Sequence, residues 1–228
     1  MSFWEDPLAG NKIITLMAAL VLVLQIMMVA QRGVVTNIRA FGLQSFLLAW
    51  IGFTIAHFNH APHLYVAAAM TLLLKAIALP LILEKLVNKI EVRQEIEPLV
   101  NVPISVLTAG LLTLLAYVVA ESFHRPDEYG GPATLGHNTL AVAIAVFLIG
   151  FFMMVTRRKA LTQVLALLCL ENGILLAAIS LTYGMPLIVE TGVFFDVLVA
   201  ALLLAILIFR IRETFDSIDV SRLSRLRG

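Results

Sequence analysis

The run 169-CLENGILLAAISLTYGMPLIVETGVFFDVLVAALLLAILIF-209 decides the fold. It is apolar enough to cross a bilayer twice, with Gly184-Met185-Pro186 marking a turn between the passes. It nevertheless holds Glu171, Glu190 and Asp196, and no Lys or Arg lies among them. An acid at mid-span opposes insertion by ~2.5–3.5 kcal/mol, against ~0.5 kcal/mol gained per Leu. Anchoring alone gives no reason to keep such residues.

The rest of the chain has the same character. Of its 228 residues, 61% are hydrophobic and 14% charged, where a soluble domain carries about a quarter charged. Seven apolar runs reach the ~20 residues that a helix needs to cross ~30 Å of hydrocarbon. They lie at roughly 12–31, 38–58, 63–83, 102–121, 138–156, 160–182 and 186–209. The runs are continuous rather than alternating, which excludes a β-barrel. The expected fold is an all-α integral membrane bundle of about seven transmembrane helices.

Charge sets the expected orientation. Thirteen of the sixteen Lys and Arg fall in the links after runs one, three and five and in the tail after run seven. Basic links stay in the cytoplasm, so the N-terminus is expected outside and the C-terminus inside. The acidic start, MSFWEDPLAGNK, lacks the basic segment of a cleaved signal, so the first run is expected to remain as an anchor. A net charge of +1 gives no argument for nucleic acid. Cys169 is the single cysteine, which excludes an internal disulfide and a multi-Cys metal cluster. No phosphate loop or nucleophile elbow is present, and no cofactor is expected in this chain.

An internal echo divides the chain. Runs one to three and five to seven each have a basic link, then a short link ending in Pro62 or Pro186, then a helix with buried charge. This reads as a parallel three-helix repeat joined by a connector helix, or as shared membrane composition. The corresponding units are 1–101, a three-helix unit with a connector on the cytoplasmic side; 102–137, the connector helix and an outer loop; and 138–228, a three-helix unit with a tail. Residues 84–97, EKLVNKIEVRQEIE, read either as a short helix on the membrane surface or as a solvated loop.

Four ionisable residues inside the spans, Lys75, Glu171, Glu190 and Asp196, are candidates for a proton relay. Lys75 lies five residues before Pro80, whose ring disturbs the turn at Ala76. It is read as a buried, proton-exchanging amine, the alternative being a lysine snorkelling to the interface. Glu171 sits mid-span beside Asn172 and Gly173, and Gly173 lets a second helix or water approach. Its alternative is a static interhelical hydrogen bond. Glu190 stands near the outer edge, where a wetted carboxylate is the competing reading, and Asp196 lies deeper. The two are ~9 Å apart along the axis and about 120° apart around it, so they do not share a face. Gln25 and Gln44 are expected to hydrogen-bond between helices. His57, His60 and His63 have a metal-like spacing, but Pro62 breaks the helix and they read as outer-loop histidines.

With these residues in view, the chain resembles the hydrogenase-4 component E family, membrane subunits of energy-converting [NiFe]-hydrogenase complexes such as formate hydrogenlyase. The resemblance rests on Cys169-Leu170-Glu171-Asn172-Gly173, Ile188-Val189-Glu190-Thr191-Gly192 and Asp196. It extends to Lys75 with Pro80-Leu81-Ile82 and to the tail Ser217-Ile218-Asp219-Val220. The last three runs are also similar to the K-type subunit of respiratory complex I and the C-type subunit of multisubunit antiporters. Glu171 matches an intramembrane glutamate of the former, and either Asp196 or Glu190 stands for a second. The resemblance implies a non-catalytic membrane-arm subunit in a prokaryotic cytoplasmic membrane. It would carry part of a charged axis that couples H⁺ or Na⁺ movement to a redox module. NiFe and iron–sulfur centres are implied on partner subunits, and antiporter-like subunits are implied beside it. A subunit of a cation/proton antiporter and a stand-alone seven-helix transporter are the alternatives; the latter usually shows paired breaks around a central site.

Overall fold

A computed structural model describes residues 7–58, 62–90, 100–122 and 134–182. All belong to the first of the two compact units into which the chain divides, Met1–Val193 and Phe194–Gly228. The helices in order are α1 (Pro7–Ala30), α2 (Val34–Phe58), α3 (Pro62–Met70), a π-helical segment (Thr71–Ala78), α4 (Leu79–Ile90), α5 (Val102–Ser122), α6 (Thr134–Thr156) and α7 (Ala160–Thr182). α3, the π segment and α4 run as one continuous helix, so the described residues hold six helices long and apolar enough to cross a membrane. The chain is a multi-pass membrane protein. Run seven, with Glu190 and Asp196, lies outside the described residues.

Helix is the only spanning solution for such runs, because each backbone N–H and C=O must be satisfied within its own segment in hydrocarbon. Which faces turn inward follows from side-chain spacing. Ile14, Ala18 and Val21 fall on one stripe of α1, at i, i+4 and i+7, and pack against Leu48 and Ile51 of α2. Val142, Ala143 and Val146 of α6 and Leu176 of α7 complete that cluster. Among the described residues α2 packs against α1, α3, the π segment, α4 and α7, whereas α5 packs mainly against α1 and α6. The difference shows in burial: 67% of the α7 span is enclosed but only 17% of the α5 span. Leu107, Leu111 and Leu114 of α5 accordingly point away from the bundle.

Contacts between the two ends of the sequence keep a constant offset. Gln25 meets Met153, Val29 meets Arg157 and Gln44 meets Asn172, each pair 128 residues apart. α1 therefore runs parallel to α6, and α2 to α7, at matched depth. Buried Arg157 gives its Nη2 to the carbonyl of Val29 at 2.8 Å, satisfying an acceptor in the last turn of α1.

The segment after run three differs from both sequence readings over its first half. Residues 84–90 continue as α4, neither a separate surface helix nor a loop. Leu79, Leu83, Leu86 and Val87 are buried and fall on one stripe, which carries the helix on past the apolar run. Arg39 Nε pairs with Glu84 Oε1 at 2.6 Å at this end, but the arginine side chain is 73% exposed. Such pairs contribute ~0–1 kcal/mol. Arg39→Ala is accordingly expected to change stability by less than about 1 kcal/mol, read by thermal unfolding in mild detergent.

Candidate functional site

The π segment places the amine. Pro80 has no N–H, so the carbonyl of Ala76 loses the donor it would have in an α-helix. The helix answers by widening ahead of the proline, and the N–H of Leu79 bonds the carbonyl of Leu74, five residues back. Proline is the readable signal; no local sequence feature specifies the wide turn itself. Gly42 of α2 lies against the same spot. A Cβ there would stand 3.1 Å from Pro80 Cγ and 3.4 Å from Ala76 O.

Lys75 sits within this wide turn and points inward. It is 2% exposed, which excludes the snorkelling alternative. Its Nζ lies 3.5 Å from Glu171 Oε2 and 3.4 Å from Asn172 Oδ1, both on α7. Two sequence-expected residues nearly a hundred positions apart thus form one ion pair. Gly173, the third of that triplet, faces the backbone of α6 at Phe147 and Ala143, which lets α7 sit close enough to bring Glu171 and Asn172 inward.

Behind the pair runs a line of side-chain amides. Asn172 Nδ2 donates to Gln44 Oε1 at 3.2 Å and to Ser45 Oγ at 3.1 Å. Gln44 Nε2 donates to Gln25 Oε1 at 2.9 Å and to the carbonyl of Val21 at 3.3 Å. Gln25 Nε2 reaches Met153 Sδ at 3.5 Å. Gln25, Gln44, Ser45 and Asn172 are fully buried. The two glutamines do bond between helices. Ser45 went unremarked in the sequence, although it is a polar neighbour of Gln44 in mid-span. His57 is exposed at the end of α2, and His60 and the side chain of His63 lie outside the described residues.

Chemically the arrangement holds an ammonium and a carboxyl in an apolar setting, with neutral amides on one flank. Ionisable groups held this way inside a membrane bundle are costly to bury and need a partner. The arrangement does not suit a metal cluster. An iron–sulfur centre takes several thiolates, and Cys169, the single thiol, is buried with its Sγ 3.9 Å from Met28 Sδ. Among the described residues no three His, Cys, Asp or Glu converge as a metal ligand set.

Known proteins similar to this chain agree along most of its length. It is 34% identical to the uncharacterized protein Rv0085 of Mycobacterium tuberculosis over 189 residues, covering 79% of this chain and 84% of that protein. It is 26% identical to hydrogenase-4 component E of Escherichia coli K12 over 222 residues, covering 97% of this chain and all of the relative. The chain is a homologue of hydrogenase-4 component E. Component E of Shigella flexneri shows the same identity and coverage. No protein-family model and no solved structure matches. The likeness to component E extends over both halves of the chain rather than one.

Proposed function

We propose that the chain is a non-catalytic membrane-arm subunit of a complex I-like energy-converting hydrogenase, where it contributes buried charge to an H⁺ or Na⁺ coupling axis. The observation that carries this reading is the Lys75–Glu171 pair, set between the π segment and α7 with the lysine 2% exposed. A buried pair of this kind is no aid to anchoring, and a packed apolar pair would serve stability as well or better. Its value lies in having a charge that can change. Asp196 and Glu190 are proposed as further members of the axis. NiFe and iron–sulfur centres are placed on partner subunits, beside antiporter-like membrane subunits. Basic links place the ends that carry Arg39 and Arg157 in the cytoplasm.

The test uses the assembled complex. The native chain is purified in mild detergent and its companions are identified by mass spectrometry, with hydrogenase-like and antiporter-like subunits expected. Glu171→Gln and Lys75→Met are then compared at equal assembly. Ion translocation per electron is expected to fall by about 100-fold or more, the scale on which a positioned proton-transfer group acts. Unchanged translocation in both variants would reduce the pair to a packing device.

A further inference from the structure

An amide has one end that only donates and one that only accepts, so its sense is fixed by neighbours that allow a single role. Two such neighbours stand at the far end of the amide line, and the Lys75 ammonium, which only donates, stands at the near end. A backbone carbonyl only accepts, and Val21 O lies 3.3 Å from Gln44. A thioether sulfur also only accepts, and Met153 Sδ lies 3.5 Å from Gln25. Both glutamines must therefore turn their nitrogens that way. Gln44 is left with its oxygen toward Asn172, and Asn172 must answer with its nitrogen at 3.2 Å. Its own oxygen then faces Lys75 at 3.4 Å. Ser45 Oγ also takes the Asn172 nitrogen, but a hydroxyl serves in either sense and does not choose. The orientation seen by the lysine is thus fixed from α1 and α6 through Gln44 as well as by the ammonium itself.

We infer that Gln44 is a positioning residue: it holds the Asn172 carboxamide with oxygen toward Lys75, giving the ammonium a permanent neutral acceptor beside its titrating partner. This rests on the reading above in one respect, that Glu171 changes protonation. When Glu171 takes a proton, its hold on the ammonium weakens. Asn172 Oδ1, 3.4 Å from Nζ, keeps the amine in place for the return step. A reversed Asn172 would set two donor groups face to face and drive the lysine off its site.

Methionine and leucine at position 44 separate this role from packing. Both are close to glutamine in size, but only methionine keeps an acceptor for Asn172 Nδ2. The full chain, labelled with ¹⁵N-lysine, is placed in lipid nanodiscs, and the Lys75 Nζ resonance is assigned by its loss in Lys75→Met. Gln44→Leu is expected to shift or broaden that resonance beyond its line width, and Gln44→Met to leave it near the native position. In the assembled complex, Gln44→Leu is expected to slow translocation by about 10- to 100-fold, with substantial rescue in Gln44→Met. Equal effects of the two variants on the resonance, or none in either, would overturn the inference. The resonance does not depend on pumping, so it still decides the positioning role if Lys75→Met and Glu171→Gln leave translocation intact.

Discussion

Glu171→Ala is expected to destabilise the folded chain by about 3–5 kcal/mol, because it removes one partner of a buried ion pair. The amine is 2% exposed, so bulk water does not compensate it. Asn172 Oδ1 remains at 3.4 Å, but a neutral acceptor replaces only part of what a carboxylate supplies. Adding Lys75→Met removes the other partner as well, and most of the loss is expected to return. The double variant should lie well above the sum of the singles, with a coupling of ~2 kcal/mol or more. Helix content followed through a denaturing-detergent titration measures all four corners of this cycle. Additive losses, with no coupling between positions 75 and 171, would mean that the two groups do not share one site. On the proposed function, ion translocation by the assembled complex is a separate readout: the double variant should regain stability without regaining translocation.

The second large effect falls on a residue with no side chain. A Cβ on Gly173 would stand 2.6 Å from Phe147 N, 2.9 Å from Phe147 Cα and 3.0 Å from Ala143 O. These are backbone atoms of α6, which cannot swing aside as a flexible side chain does. A Cβ on Gly150 would meet Leu170 N at 2.8 Å, so α6 and α7 touch backbone to backbone at two levels. Close approach over small residues is how helices gain packing energy in lipid, where the hydrophobic effect gives them little. Gly173→Ala is expected to cost about 1–3 kcal/mol as overpacking, and Gly173→Val more, with loss of folded chain from the membrane. Gly110 provides the control, since nothing lies within 4 Å of its Cβ position. Gly110→Ala should be neutral or gain up to about 1 kcal/mol. Folded yield and thermal stability of the three variants check the ordering, and a Gly173→Val chain as stable as the parent would show that α6 and α7 do not meet this closely.

Much of this architecture can be read from the residues alone, because lipid imposes one backbone solution and a fixed length. The run at 160–182 is α7, Ala160–Thr182, with the same limits. The ionisable residues of the candidate site were also legible, since such a side chain in an apolar run stands out against its cost. Their pairing was not. Lys75 and Glu171 are brought together because the π segment and α7 both pack on α2, and no local periodicity encodes which of several acids an amine will meet. The wide turn at Thr71–Ala78 is a backbone response to Pro80 together with the seat that Gly42 offers, and these two residues lie far apart in sequence. The length of α4 could have been found from Leu79, Leu83, Leu86 and Val87, had the helical stripe been followed beyond the end of the apolar run.

The constant offset between α1 and α6 and between α2 and α7 bears on how the molecule meets membranes of different thickness. Spanning helices answer a thinner bilayer by leaning over. Partners that point the same way and are level with each other lean as a raft, whereas staggered ones would slide. The acceptors around Lys75 should therefore keep their spacing when the host lipid is shortened or lengthened, and acyl-chain length should tune the lean of the bundle without detuning its charged centre.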